Sequence, residues 1–251
     1  MKNRDNCVIL LVSPPEETKV AAELRTAFGP ERAVHVNGDL LAQAYKTVKN
    51  FNNAIPILSY EKTSRHPDLT WLDPEDPGFL EFKDKPLEER FRDVFRLSFF
   101  TGAKKAVIID HLSPEIKEEW ISQALEAVND KTVALGTNSD GSFYLLGLTQ
   151  AHLKLLEAPG FTAPKSAEIL TERIKKAKLS VFNTPETYSV NSEDSLRRWL
   201  ESRESEKHLF SEPAAAAPKS SALTTETPHK RASRRHRSHE EPQAKPPQEL
   251  I

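Results

Sequence analysis

The feature that most constrains this chain is alternation: short apolar runs rich in β-branched residues, separated by stretches whose apolar residues recur at helical spacing. Cys7 to Val12 is a run of the first kind, closed by the turn signal Ser13-Pro14-Pro15, and reads as a buried first strand. From Glu16 to Phe28, Val20, Leu24 and Phe28 recur every four residues, which is helical, and Gly29-Pro30 ends the segment. Glu31 to Phe51 resumes a weaker helical pattern, interrupted at Gly38. A strand is expected over Ala54 to Tyr60, where Pro56 argues for an edge or irregular position because proline cannot donate to a ladder. Residues 61 to 86 are an excursion rich in Pro, Asp and Lys, with at most short strands and Trp71, Leu72, Phe79 and Phe82 as isolated anchors.

The alternation then resumes. Leu87 to Thr101 carries a broad apolar face and is capped by Gly102, and Ala106 to Ile109 is another buried strand. Ser113-Pro114-Glu115 reads as a helix start, Ser as N-cap and Pro at the first position, followed by the stripe Ile116, Trp120, Ile121, Leu125 and Val128. Strands at Thr132 to Leu135 and Phe143 to Leu148, a helix from Ser166 to Ala177, a strand at Leu179 to Phe182 and a last helix capped by Ser192 complete the series. Crossovers long enough for parallel pairing make this an α/β chain, a mostly parallel sheet covered by helices on both faces.

The periodicity stops near Arg203, so residues 1–203 are expected to form the domain. Residues 204–251, with Ala214-Ala215-Ala216-Ala217-Pro218 and many Pro, Ser and Lys, have too few apolar groups to offset ordering entropy and read as a disordered tail. The tail's cluster from His229 to Arg237 leaves the rest of the chain acidic, although the net charge is only -2. Such a cluster suggests an unidentified protein or another acidic partner such as anionic lipid, and its plain reading is a solvated charge run. Nucleic acid is not expected, since Glu240 and Glu241 adjoin the cluster and no aromatic residue is there for stacking. One cysteine, Cys7, excludes an internal disulfide and reads as a packed thiol in a reducing compartment. No apolar run approaches the ~20 residues of a membrane span, and the N-terminal run is too short for a secretion signal, so a cytoplasmic protein is expected. The chain carries no phosphate-loop Gly-Lys-Ser/Thr, Rossmann glycine triplet, zinc cysteine pair or nucleophile elbow.

Ligands of such sheets sit beyond the carboxyl ends of strands. Two polar segments flank strands here: Asp110-His111, and Asp140-Gly141-Ser142, an Asp-Gly turn feeding the run Phe143-Tyr144-Leu145-Leu146-Gly147-Leu148. These are the ligand-binding candidates, with Asp110 and Asp140 as the pair able to hold a metal weakly. Their plain structural readings are a polar strand end and a ligand-free turn. Phe143 and Tyr144 read as core aromatics.

Four stretches, two of them containing these segments, carry a resemblance. Leu87-Glu88-Glu89-Arg90-Phe91 resembles a Gly-Asp-Leu-Gly-Glu-Arg-Met helix start. Gly102-Ala103-Lys104-Lys105-Ala106-Val107-Ile108-Ile109-Asp110-His111-Leu112-Ser113-Pro114 resembles Gly-Ala-x-x-Val-Val-Leu-Ile-Gly-Ser-Asp-Cys-Pro. The Asp140 to Leu148 run resembles Asp-Gly-Gly-Tyr-Tyr-Leu-Ile-Gly-Leu, and Ser189-Val190-Asn191-Ser192-Glu193-Asp194-Ser195-Leu196 resembles Asp-Val-Asp-Thr-x-Glu-Asp-Leu. In this order, over residues 7 to 203, they are similar to a bacterial family of radical-SAM/selenodomain-associated, glycosyltransferase-like proteins of the GT-A nucleotide-diphospho-sugar transferase superfamily. The resemblance implies a GT-A-like, Rossmann-like fold, a nucleotide-sugar ligand and Mg2+ or Mn2+ if the protein is active.

The departures fall on charged positions. Leu112 replaces the family's loop aspartate, and Ser189 and Asn191 replace both late aspartates. Ala21 and Glu23 stand at the lysine and arginine places of a phosphate-facing segment, leaving Lys19 and Arg25, both off the family's positions, as the local cations and Lys19 as a further ligand-binding candidate. A diphosphate leaving group needs a metal and cations, so the resemblance points to a catalytically degenerate member, a pseudoenzyme that retains a ligand- or protein-binding role. Two alternatives remain at this stage: a working glycosyl- or nucleotidyltransferase with a site rearranged around Asp110, His111 and Asp140, and a scaffold recruiting partners through its basic tail.

Overall fold

A computed structural model describes residues 2–75, 78–81, 85–162 and 165–210, with side chains to 203; the anchor Phe82 and the expected tail beyond 210 lie outside the described residues. Among these, seven strands form one sheet: β1 (Asn6–Val12), β2 (Ile55–Tyr60), β3 (Leu80–Glu81), β4 (Lys105–Ile109), β5 (Thr132–Thr137), β6 (Phe143–Leu148) and β7 (Ser180–Asn183), in the spatial order β3-β2-β1-β4-β6-β5-β7. The helices are α1 (Ala22–Phe28), α2 (Pro30–Asn50), α3 (Leu87–Phe100), α4 (Glu118–Ala127), α5 (Ser166–Lys176) and α6 (Glu193–Phe210). The last runs seven residues beyond the Arg203 boundary expected from composition.

Pairing is parallel except at β6, which is antiparallel to both β4 and β5. The five residues between β5 and β6 are too few for a parallel crossover, which takes about a dozen or more, so the chain turns back as a hairpin. Pro56 pairs with Val8 on the β1 side, while on the other side β3 reaches only Ser59 and Tyr60. The proline therefore lies in the part of β2 that is an open edge, as its missing donor requires.

Side chains alternate across the sheet. On one face Val8, Leu10 and Val12 pack with Leu41, Tyr45 and Val48 of α2 and Ile121 and Leu125 of α4. On the other, Cys7 and Ile9 pack with Phe91, Val94 and Phe95 of α3 and Leu170 and Ile174 of α5. Both faces of β1 are dry, which is why its sequence is an unbroken apolar run. Burial pushes the Cys7 thiol up to about 11, so it is a packing group.

Three local expectations need correction. The segment from Glu16 to Phe28 is a single 3-10 turn (Glu17–Lys19) followed by α1, although Val20 and Leu24 are buried as the spacing implied. Gly38 does not interrupt α2, because the face carrying Val36, Leu40, Leu41, Tyr45 and Val48 is buried; that packing outweighs a glycine cost of about 1 kcal/mol. Ser113 caps no helix: α4 begins at Glu118, and the buried Ser113 hydroxyl donates to Asn138 Oδ1 at 3.1 Å instead. Ser192 does cap α6, accepting from the Ser195 N–H at 3.2 Å.

The order of strands fixes where a ligand can go. From β1 the chain moves to one side to lay down β2 and β3, then returns to the other side of β1 for β4. The segments after β1 and β4 run toward opposite edges of the sheet, and a crevice lies beyond their carboxyl ends.

Candidate functional site

A cavity of about 760 Å³ occupies that crevice. Lys19, Asp110, His111, Asp140 and Ser142 all line it. Gly141 does not. Its φ of +85° makes the turn that presents Asp140, and its carbonyl accepts the Ala167 N–H at 3.1 Å.

The acidic wall is built on β4, the β5–β6 turn and the approach to α6. Asp140 Oδ1 accepts the Ser142 N–H at 2.9 Å and the Ser142 hydroxyl at 2.6 Å, while Oδ2 accepts the Asn191 amide at 2.7 Å. Behind it the buried Asn138 donates to Ser142 Oγ at 2.9 Å and accepts from Ser113. Ser113, Asn138, Ser142, Asp140 and Asn191 thus form one continuous polar chain, which fixes the carboxylate in place. Asp110 lies nearby, a third of its side chain open to the cavity. Burial pushes its carboxyl up, and the Asp140 charge adds to the shift. His111 donates from Nε2 to Asn37 Oδ1 at 2.8 Å, which leaves its Nδ1 facing Asp110 Oδ1 at 3.6 Å, beyond hydrogen-bond range. Burial holds this imidazole below its usual range and therefore neutral.

The cationic wall was mostly missed by the sequence reading. Glu61, the residue after β2, takes Lys19 on Oε1 and Arg90 of α3 on Oε2 at 3.2 Å. Arg90 also donates to the carbonyls of Ser59 at 3.1 Å and Val12 at 3.4 Å, bracing the carboxyl ends of β1 and β2. Lys19 thus reaches the cavity, but already neutralised by Glu61. Lys85 lines the cavity and pairs with Asp93 at 2.6 Å. The strand-end rule that flagged Asp110 applies equally to Glu61, and Arg90 stood in the Glu88-Glu89-Arg90-Phe91 motif. Ala21 and Glu23 line the cavity as well.

The third wall combines the start of α5, with Thr162, Lys165 and Ser166, and an apolar patch where Phe91 meets Phe143 edge-on at 5.7 Å. Phe143 therefore both packs and faces the cavity, whereas Tyr144 is fully buried, its hydroxyl donating to the Pro185 carbonyl at 2.7 Å.

A hard divalent cation needs several oxygen donors, normally including carboxylates. Asp110 and Asp140 share the cavity, but both oxygens of Asp140 are engaged by Ser142 and Asn191. Leu112 offers no donor and packs against the clusters of Val20 and Leu24 and of Tyr188 and Val190. Among the described residues no group of three His, Cys, Asp or Glu side chains could hold a metal ion. This donor set does not fit a firmly bound Mg2+ or Mn2+.

Comparison with known proteins bears on the frame around this site. A crystal structure described as a nucleotide-diphospho-sugar transferase from Desulfovibrio desulfuricans G20 matches with a TM-score of 0.66 over 82% of this chain and 97% of its own, at 19% identity. The fold is GT-A-like. A nucleotidyl transferase from Methanothermobacter thermautotroptrophicus matches at 0.56 over 80% and 98%, with 11% identity. A 4-diphosphocytidyl-2C-methyl-D-erythritol synthase from Anaerococcus prevotii DSM 20548 matches at 0.51 over 78% and 96%, with 10% identity. Residues 41–159 match a family model described as "Uncharacterized protein conserved in bacteria (DUF2064)". No curated protein matches the sequence. No helix among the described residues is long and apolar enough to cross a membrane.

Proposed function

We propose that this GT-A-like domain takes a nucleotide or nucleotide-sugar into the cavity between β1 and β4 without carrying out metal-dependent transfer. One observation carries the reading: the Asn191 amide donates to Asp140 at 2.7 Å. The resemblance places an acid at that position, where two carboxylates could share a cation. The amide satisfies Asp140 directly and removes the electrostatic need for the ion. Leu112 and Glu23 act in the same direction, one withdrawing a ligand and the other placing negative charge where a diphosphate would approach. Like charges ~4 Å apart repel by about 4 kcal/mol at an effective dielectric of ~20. The nucleotide as ligand is supported by the kinds of enzyme that share the fold and by a cavity with both polar and aromatic walls.

The test is calorimetry with UDP- and GDP-sugars, with and without Mg2+ or Mn2+, alongside product analysis. Binding of equal strength in chelator and an intact donor are expected. Binding that requires the metal, or cleavage of the donor, would contradict the reading. Cleavage would instead favour a working transferase rearranged around Asp110, His111 and Asp140. Its support is that Asp110 and Asp140 face one cavity closely enough for their charges to interact.

A further inference from the structure

We infer that the start of α5, through Lys165 and Ser166, is an anion subsite of this cavity that takes a phosphoryl group of the bound ligand. The inference rests on the cavity's nucleotide-binding reading and adds where the phosphate goes: the wall formed by α5, opposite in character to the Glu61-neutralised cations.

Three independent features meet there. The first is Ser166, which is 3% exposed and lines the cavity. Among the described residues its hydroxyl makes no hydrogen bond and is not sealed off with the enclosed unpaired groups, so it opens into the cavity, where a ligand oxygen can accept from it. The second is Lys165. It lines the cavity, and among the described residues it makes no ion pair, unlike Lys19 and Lys85 on the far side. It sits at φ 63°, a left-handed conformation that residues with a Cβ adopt at an energetic cost. The third is α5 itself, 11 residues long: the Ala167, Glu168 and Ile169 amides are taken by the carbonyls of Gly141 and Lys165, and among the described residues the Ser166 N–H, beside the cavity, is the first-turn amide left without a backbone acceptor.

The position is held from behind. The Gly141 carbonyl takes the Ala167 N–H at 3.1 Å, and a Cβ at Gly141 would lie 3.6 Å from Lys165 Cα. The turn that presents Asp140 is therefore joined directly to the start of α5. Asp140 is occupied by Ser142 and Asn191, and Glu88 by the Gly160 N–H and the Thr162 hydroxyl, so neither competes for Lys165; Glu168, in the first turn of α5, is exposed to solvent and forms no ion pair with Lys165.

Two phosphoryl sources fit this chemistry, the diphosphate of a nucleotide and the phosphate of a second, phosphorylated substrate, and binding measurements separate them. Calorimetry with UDP, uridine and glucose 1-phosphate would be run on the full chain, on Lys165→Asn (a residue that tolerates the left-handed backbone) and on Ser166→Ala, with thermal melts confirming folding. Each substitution is expected to weaken a phosphate-bearing ligand about tenfold, the scale of one charge-assisted hydrogen bond, while uridine binding stays unchanged. A loss confined to UDP assigns the group to the nucleotide, and a loss confined to glucose 1-phosphate assigns it to the second substrate. Unchanged affinity for both phosphates in both variants would overturn the subsite, as would wild-type protein that binds neither. If uridine and UDP fail to bind wild-type protein while glucose 1-phosphate binds through Lys165, the nucleotide reading falls and the subsite stands.

Discussion

Asp110 and His111 show how a pair of adjacent residues can be shaped by burial more than by each other. The carboxyl is pushed up and the imidazole down, each mainly by desolvation, so the fold favours the neutral form of both. The signs follow from comparison with the unfolded chain. The folded protein holds the Asp110 proton more tightly, so an ionised Asp110 costs stability above its folded value, and that cost is absent below the ordinary value of 3.8. Asp110→Asn is therefore expected to raise the unfolding free energy at neutral pH, with the gain shrinking to nothing as pH falls below 3.8 in urea titrations. His111 works in the opposite sense: its lowered value means stability is lost as pH drops below 6.5. A destabilised Asp110→Asn at neutral pH would mean the carboxylate is required as an ion. Asp140 is the contrasting case, an acid whose oxygens are all spoken for by Ser142 and Asn191.

Elements were legible where one physical signal dominated. The apolar runs of β1, β4 and β6 and the stripes of α3 and α4 are visible because burial on two faces, or on one stripe, leaves a direct imprint on composition. What failed were local signals overridden by tertiary contacts: Gly38 inside the packed α2, and Ser113 drawn away from α4 by Asn138. The site was half legible for the same reason. Asp110, His111 and Asp140 follow from strand ends, but the clasp of Glu61 by Lys19 and Arg90 joins residues up to 71 positions apart, beyond the reach of any local pattern. One element-level contact gives a sharp expectation. A Cβ at Gly136 of β5 would lie 2.5 Å from both Tyr144 Cζ and Thr184 Oγ1, and Tyr144 is fixed by its bonds to Thr184 and Pro185. Gly136→Ala should lower the unfolding free energy by about 1–3 kcal/mol, the usual cost of overpacking. An unchanged denaturation midpoint would show that the Tyr144 ring is free to move.

At the scale of the whole molecule, the cavity is assembled from segments that lie far apart in the chain and meet only because the strand order reverses beside β1. The fold that assembles it is what the chain shares with the solved structures described as nucleotide-diphospho-sugar and nucleotidyl transferases. Within it lie Asn191, whose amide holds Asp140, Leu112 after β4, and Glu61, which neutralises Lys19. On the proposed reading, the cavity binds its ligand without a metal ion because the Asn191 amide already satisfies Asp140. Electron paramagnetic resonance of Mn2+ titrated into the metal-free chain tests this directly, with Asn191→Asp as the companion sample. The wild-type chain is expected to leave the free Mn2+ signal undiminished, and Asn191→Asp, which sets a second carboxylate beside Asp140, to reduce it. A stoichiometric loss of free signal in the wild-type chain, abolished by Asp110→Asn, would contradict the account.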